Sequence, residues 1–379
     1  MAGHSVETVL ARALSDLGEF EGASKRPLCF ATTHIRQADG SFAADRIYGR
    51  SDNPTLAATE QVLATAEAGA GALLFSSGMA AISSALATLG PGSHVLAPRS
   101  LYYGVESWLE RYGASHGLTY EYVDQTDLGA VAAAFRPDVG NVIWMETPGN
   151  PLLDIADIKS MCALAEERHA RVIVDSSVAT PLLTQPLNLG ADLVVHSATK
   201  YLGGHSDLLG GVVVARELDE TWDKLQHFRY SHGNQLDAFD AWLLARSLES
   251  LGPRMRQICE SGAKIAEWLN QDSRVDRVYY PGLPSHPNHA IARDQMGGRY
   301  PGLMSFTLYS GEERAIAATN QLALIKRATS FGGAQSTIEH HPSIRDLYAA
   351  RSTVPRSLLR LSVGLENPSE LINDLDQAL

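Results

Sequence analysis

Between residues 55 and 235 short apolar, β-branched runs alternate with stretches of helical periodicity, and no other feature constrains the fold as strongly. The runs are GALLF (71–75), HVLA (94–97), LTYEYV (118–123), NVIWME (141–146), ARVIVD (170–175), DLVVHS (192–197) and GVVVA (211–215). Runs of this kind suit strands covered on both faces, as in a parallel sheet. Between them, MAAISSALATLG (79–90), closed by Gly90 and Pro91, and DIKSMCALAEERHA (157–170), apolar at i, i+3 and i+4, read as crossover helices. The expectation is an α/β fold with a seven-stranded, mostly parallel sheet clad in helices.

Beyond residue 235 the texture changes to longer helical patterns, LDAFDAWLLARSLESL (236–251) and RQICESGAKIAEWLN (256–270). The strand-like segments VDRVYY (275–280), LMSFTLYS (303–310) and SLLRLSVG (357–364) follow. This predicts a large domain over 51–235 and a smaller C-terminal α+β domain over 236–379. Residues 1–50 have weak periodicity and carry the polar stretch RQADGSFAADR, so they read as an arm that packs on a neighbouring subunit. At about 150 residues per domain, 379 residues are ample for this organisation and for a large core.

Charge and cysteine usage narrow the function. There are 31 basic against 43 acidic side chains, a net charge of −12, and no Lys/Arg run exceeds two residues. A nucleic-acid partner needs a concentrated basic face, so none is expected. Cys29, Cys162 and Cys259 are far apart and odd in number, which offers neither a disulfide framework nor a CxxC metal site and fits a reducing compartment. The first residues carry acids throughout and lack a continuous apolar core, and no stretch of about 18 uncharged apolar residues could span a membrane. The chain reads as cytoplasmic, without a membrane partner.

In open α/β sheets ligands bind beyond the carboxyl ends of the strands. Those ends carry Ser76-Ser77-Gly78-Met79, Ser100-Leu101-Tyr102-Tyr103-Gly104, Glu146-Thr147-Pro148-Gly149-Asn150-Pro151, Asp175-Ser176-Ser177 and Ser197-Ala198-Thr199-Lys200. A loop of small residues opening a helix suits a phosphate, although a serine there is more often a plain N-cap. Walker, GxGxxG and GxSxG patterns are missing from the chain. Taken singly, Asp175 is a turn carboxylate and Lys200 a solvated amine. Together with the loop at 76–79 they supply what an aldehyde cofactor with a phosphate and a pyridine ring requires: an amine, an acid facing the ring nitrogen, and a phosphate cradle.

Seven motifs then carry a family resemblance: YGRSDNPT (48–55), SSGMAAI (76–82), ETPGNPLL (146–153), DSSVATP (175–181), HSATKYLGGHSD (196–207), SFGGAQS (330–336) and RLSVGLE (360–366). In this order, across nearly the whole chain, they resemble the transsulfuration, or cystathionine lyase and synthase, family of pyridoxal-phosphate enzymes of fold type I, the aspartate aminotransferase-like fold. The resemblance implies pyridoxal 5'-phosphate as cofactor, an amino-acid substrate and a homotetramer built as two dimers. Lys200 would link covalently to the cofactor's aldehyde and afterwards move protons at the substrate carbons. Asp175 would face the ring nitrogen, while Ser77, Gly78 and Met79, with Ser197 and Thr199, would hold the phosphate. Tyr48 and Arg50 would reach that phosphate from a neighbouring subunit. Tyr102 would stack on the ring and assist proton transfer, although Tyr103-Gly104-Val105 departs from the family's Gly-Gly-Thr. Arg360 would clamp the substrate carboxylate with its forked guanidinium, Asn150 and Ser330 completing the pocket.

The same residues serve two reactions, so they do not choose between them. The leading expectation is a carbon–sulfur lyase acting on cystathionine or a related sulfur amino acid, by β- or γ-elimination. It rests on Tyr48-Gly49-Arg50 and on Phe331, which resemble bacterial β-lyases, although Ser51 replaces their second arginine. The alternative is a γ-replacement synthase using an O-acyl-L-homoserine and a thiol. Family members that bind the far amino group of cystathionine in the γ-lyase and γ-synthase style carry acids where this chain has Ile47 and Thr329. A cofactor-bearing protein without turnover is a third reading, weakened by the joint presence of Lys200, Asp175, Tyr102 and Arg360. His205-Ser206-Asp207 are too close in sequence for a triad and read as a structural loop. His340-His341 read as a loop rather than a metal site.

Overall fold

The computed structural model describes residues 3–15, 23–42, 46–348 and 354–379. All seven expected runs form strands: β1 (Gly71–Phe75), β2 (His94–Pro98), β3 (Thr119–Val123), β4 (Asn141–Glu146), β5 (Arg171–Asp175), β6 (Leu193–Ser197) and β7 (Gly211–Ala215). They pair in the order β1-β7-β6-β5-β4-β2-β3. Strand β7 runs against both its neighbours, and the remaining pairs are parallel. Successive side chains of a strand point to opposite faces. Leu73, Trp144, Ile173, Val195 and Val213 enter one core, and Leu74, Met145, Val174, Val194 and Val212 enter the other. Both faces are therefore buried, which is why the runs are apolar almost throughout except at the edge strand β3, where Thr119 and Glu121 are exposed.

Helices α1 (Val6–Ala11) and α2 (Pro54–Ala66) precede the sheet, α3 (Gly78–Ala87) follows β1, and α4 (Tyr103–Trp108) follows β2. Further crossovers and returns are α5 (Leu128–Ala134), α6 (Ile158–Glu167), α7 (Thr180–Leu183) and α8 (Glu220–His232). The expected helices at 79–90 and 157–170 are α3 and α6, and side chains cap both: Ser77 accepts from Ala80 N and Asp157 from Ser160 N. Ile82, Leu86, Val105 and Leu225 of α3, α4 and α8 pack on one face of the sheet. Val62, Leu63, Ile158 and Met161 of α2 and α6 pack on the other.

Helices α9 (Ala238–Leu248) and α10 (Leu251–Gln271) lead into a second sheet. The sheet comprises β8 (Val275–Tyr279), β9 (Leu303–Leu308), β10 (Lys326–Arg327), β11 (Thr337–His340) and β12 (Leu359–Ser362), in the order β10-β11-β12-β9-β8. The later helices are α11 (His289–Gln295), α12 (Glu312–Gln321), α13 (His341–Tyr348) and α14 (Pro368–Ala378). Helix α10 belongs to two cores. Leu251, Met255 and Ile258 pack with the large sheet, whereas Ile265 and Leu269 join Phe306, Leu361 and Leu375 over the small one. One continuous helix thereby fixes the small sheet against the large one. His340 and His341 lie at the junction of β11 and α13 rather than in a loop: His340 Nδ1 is 2.6 Å from Ser343 Oγ and its Nε2 is 2.7 Å from Arg356 O.

The first fifty residues divide in two. In α1 Val9 and Leu10 are buried against the chain's own core. Further on Phe30, Ile35 and Ile47 lie exposed on the surface. Among the described residues, no helix is long and apolar enough to cross a membrane.

Candidate active site

The polar loops converge at the carboxyl edge of the large sheet because β1, β2, β4, β5 and β6 all point that way. Parallel pairing of β4 with β5 places Glu146 directly beside Asp175 as register partners, so two carboxyl groups are buried side by side. Burial is the main force raising both. Asp175 moves upward in spite of the Ser177 N–H, 3.0 Å from its Oδ1, and of the nearby charges of His196 and Lys200. Glu146 is pushed up to about 8 by burial and then by Asp175, against the opposing pull of two backbone N–H donors. Those donors are Tyr102 N, 2.7 Å from Oε2, and Asn150 N, 2.8 Å from Oε1. One carboxyl group thus ties the loop after β2 to the loop after β4.

Lys200 lies in the turn that follows β6, its own N–H bonded to Ser197 O at 3.1 Å. Its Nζ donates to Ser330 Oγ at 2.7 Å and stands 5.0 Å from the centre of the Phe331 ring. Burial, then the positive charge of Arg360, lowers the amine to about 8, with Asp175 opposing. Arg360 comes from β12 in the second sheet and is itself buried. Its Nη1 donates to Asn150 Oδ1 and its Nη2 to Ser330 O, both at 2.9 Å. Burial lowers Arg360 to about 10, so it remains a cation at neutral pH.

Close backbone approaches explain the glycines here. Ser330 has φ +74° and Gly332 φ +82°. A Cβ at 332 would sit 2.7 Å from Tyr201 N, so the 330–333 segment can press on the chain around Lys200 only with glycine at that position. At Gly104 a Cβ would lie 2.5 Å from both Met79 Sδ and the Tyr102 ring. The departure from Gly-Gly-Thr therefore retains the glycine that the Tyr102 ring needs. The Tyr102 ring lies 4.7 Å from that of Tyr103, and burial raises its hydroxyl further, leaving it protonated.

Two adjoining chambers result. The inner one, about 310 Å³, is lined by Ser77, Gly78, Met79, Asp175, Ser197 and Lys200 among others. An outer one of about 330 Å³ is lined by Tyr103, Thr329, Ser330, Arg345 and Arg360 among others. Tyr102, Asn150, Thr199, Lys200, Leu209 and Phe331 face both. Ser77 Oγ caps α3, accepting from Ala80 N at 3.0 Å, so its hydroxyl plays the plain capping role. The Gly78 and Met79 N–H groups, at the start of the helix, have no acceptors within it, and both residues line the inner chamber. A Cβ at Gly78 would fall 2.8 Å from Ser197 Oγ, closing that cradle. Thr199 Oγ1 accepts from Gly210 N at 3.1 Å. A phosphate at the start of α3, a ring beside Tyr102 and Asp175, and an aldehyde near Lys200 are each matched by the groups present, so the chamber fits pyridoxal phosphate.

Eleven of the thirteen residues singled out from the sequence line one or both chambers. Tyr48 and Arg50 do not. Tyr48 is half exposed, and Arg50 donates to Tyr230 O at 2.7 Å with its guanidinium 4.3 Å from the Tyr230 ring. Glu146 escaped the sequence reading as a site residue; an acid closing a wholly buried strand was the available signal. Ser177, whose Oγ accepts from Ser197 N at 2.7 Å, also escaped it. His205 Nδ1 lies 2.7 Å from Gly203 O, as a loop residue would.

Residues 7–379 match the family model for Cys/Met metabolism PLP-dependent enzymes. The chain is 42% identical over 363 residues to cystathionine gamma-synthase of Mycobacterium tuberculosis, covering 94% of this chain and 92% of that one. It is 37% identical to cystathionine beta-lyase of Coxiella burnetii, covering 94% and 93%. Among solved structures, that of metB from Corynebacterium glutamicum superposes with a TM-score of 0.95 at 37% identity, covering 100% of this chain and 98% of that one. With the seven-stranded sheet, the chambers and the site residues in place, the chain belongs to the family of Cys/Met metabolism PLP-dependent enzymes.

Proposed function

We propose that the chain is a pyridoxal-phosphate-dependent carbon–sulfur lyase that cleaves L-cystathionine or a related sulfur amino acid by β- or γ-elimination. The meeting of Lys200, Asp175 and Arg360 across two continuous chambers supports the chemistry common to the family, and the observation that carries the lyase reading is Phe331, its ring centre 5.0 Å from Lys200 Nζ. When bound, pyridoxal phosphate supplies a ring that draws electrons from the substrate's α carbon. Asp175 holds the proton at the ring nitrogen. The N–H groups at Ser77, Gly78 and Met79, with Ser197 and Thr199, bind the phosphate. Arg360 receives the α-carboxylate through its fork, oriented by Asn150 and Ser330. Lys200, lowered to about 8, is neutral often enough near neutral pH to take the α proton and return a proton at a neighbouring carbon. The Tyr102 hydroxyl stays protonated and can give its proton to departing sulfur.

Tyr48 and Arg50 are read as contributions to a partner's inner chamber, in a homotetramer of two dimers. Their position outside their own chamber, on an arm with exposed Phe30, Ile35 and Ile47, supports this, because a neighbouring subunit would cover that apolar surface. Residues 51–235 then form the cofactor-binding domain and 236–379 the C-terminal domain that brings Arg360. Three free cysteines suit a cytoplasmic setting.

A γ-replacement synthase is the second reading, favoured by the 42% identity to the mycobacterial cystathionine gamma-synthase against 37% to the β-lyase. Product analysis of the holoenzyme separates them. Pyruvate from L-cystathionine establishes β-elimination, and 2-oxobutyrate γ-elimination. Acetate or succinate released from an O-acyl-L-homoserine only when a thiol is present establishes replacement. If no oxoacid comes from cystathionine, cysteine, homocysteine or methionine, the lyase reading is wrong.

A further inference from the structure

We propose that Arg254 is a positioning residue for Lys200: its buried guanidinium grips the backbone carbonyls that follow the lysine and thereby sets where the amine meets the substrate's α carbon. The inference rests on the reading of Lys200 as the residue that takes the α proton, and not on whether elimination or replacement follows. Arg254 lies on α10, outside all seven motifs, and lines neither chamber, so it acts through the turn it holds.

The carbonyls of that turn are answered one by one. Lys200 O accepts from Gly204 N at 2.7 Å. Tyr201 O accepts from Arg254 Nη1 at 2.8 Å, and Leu202 O from Nη2 at 3.4 Å. Nη2 also donates to Ser247 O at 3.0 Å, and Nε to Ser250 Oγ at 3.1 Å. One planar fork thus ties the lysine turn to the chain that leads into α10. Arg254 is 5% exposed and all four of these oxygens are uncharged, so a buried cation stands here on neutral acceptors. Burial lowers it to about 10, which leaves it charged at neutral pH. A buried charge is costly unless it is well hydrogen-bonded, and an apolar side chain in its place would remove the donors to Tyr201 O and Leu202 O. Gly204 has φ +68°, and a Cβ there would fall 2.0 Å from Nη1, so glycine is what lets the guanidinium close on the turn. Leu251, Met255 and Ile258, around Arg254 on α10, are embedded in the core of the large sheet and hold the fork steady. Gly332, between β10 and β11, closes on Tyr201 N. The turn is therefore gripped at Tyr201 from two elements, and the freedom left to Lys200 is that of its own side chain.

The test follows exchange of the α hydrogen of L-norvaline for deuterium by the holoenzyme in heavy water, read by proton NMR. Norvaline has no leaving group, so the assay isolates one event: the C–H bond breaks, the proton passes to the Lys200 amine, and a deuteron from solvent returns to the same carbon. Arg254→Met should lower the maximal exchange rate about a hundredfold, the loss that a displacement of about 1 Å brings. Arg254→Lys keeps the charge but cannot span two carbonyls, and should lower it about tenfold. The half-saturating norvaline concentration should stay within about twofold, because Arg360 and its partners are untouched. The visible circular dichroism of the bound cofactor should change in both variants. Arg254→Lys carries the test should the methionine variant not fold. A folded Arg254→Lys with the wild-type exchange rate and dichroism, or a variant that loses norvaline binding alone, overturns the proposal. Borohydride mapping separates the two readings. A pyridoxyl label on Lys200 in the wild type, with Arg254→Lys behaving as wild type, defeats the role of Arg254 only. A label on another lysine defeats the reading of Lys200 and this proposal with it.

Discussion

At the residue scale the site depends on groups held away from their solution behaviour. Arg360 is the plainest case, since its guanidinium is buried and both its protein partners are neutral oxygens. Arg360→Ala should raise KM for amino-acid substrates and lower kcat/KM by about 2 to 5 kcal/mol, the cost of losing a desolvated carboxylate partner. Unchanged kinetics would remove Arg360 from the pocket. Glu146 makes a different prediction. Its folded pKa of about 8 lies above its ordinary 4.5, so the folded state binds a proton more tightly than the unfolded one. Its contribution is therefore most favourable below pH 4.5 and is lost as pH rises through about 8. Glu146→Gln cannot ionise and has a single acceptor oxygen for two N–H donors. It should lower stability by about 1 kcal/mol in acid and flatten the decline in Tm between acid and mildly alkaline pH. A decline as steep as in the wild type would contradict the assignment.

At the element scale, the strands were legible because both faces of the large sheet are buried, which leaves uninterrupted apolar runs such as VIVD ending at Asp175. Helix α1 was not legible: it spans only six residues, Val6–Ala11, and buries Val9 and Leu10, too short a stretch for periodicity to register. Strands β10 and β11 also passed unseen, because two and four residues with polar members make no run. Lys200, Asp175 and Arg360 were legible through their motifs. Glu146 opens a motif as well, and an acid closing a buried run marks it, but its pairing with Asp175 comes from strand register, which neither signal encodes. The segment around Gly332 provides the test at this scale. Gly332→Ala combines a positive φ with a Cβ 2.7 Å from Tyr201 N, and it should cost more than about 1 kcal/mol and disturb Lys200. Thermal unfolding and cofactor affinity should both fall; if neither changes, the 330–333 segment is looser than described.

At the scale of the whole molecule, the two sheets act as one because α10 is embedded in both cores and Arg360 reaches from one sheet to loops of the other. The arm points outward instead. If Arg50 serves a partner's chamber, subunits carrying Arg50→Ala should complement subunits carrying Lys200→Ala. Each parent alone should be nearly inactive, and a refolded equal mixture should regain about a quarter of wild-type activity, through mixed dimers holding one intact site. No recovery on mixing would place Arg50 outside the partner's site.

The most direct measurement is borohydride reduction of the cofactor-loaded protein followed by peptide mapping. The expected result is a pyridoxyl group fixed on the peptide containing Lys200 and lost in Lys200→Ala. A label on a different lysine, or none while the cofactor stays bound, would contradict the placement of the chemistry at the carboxyl edge of the large sheet.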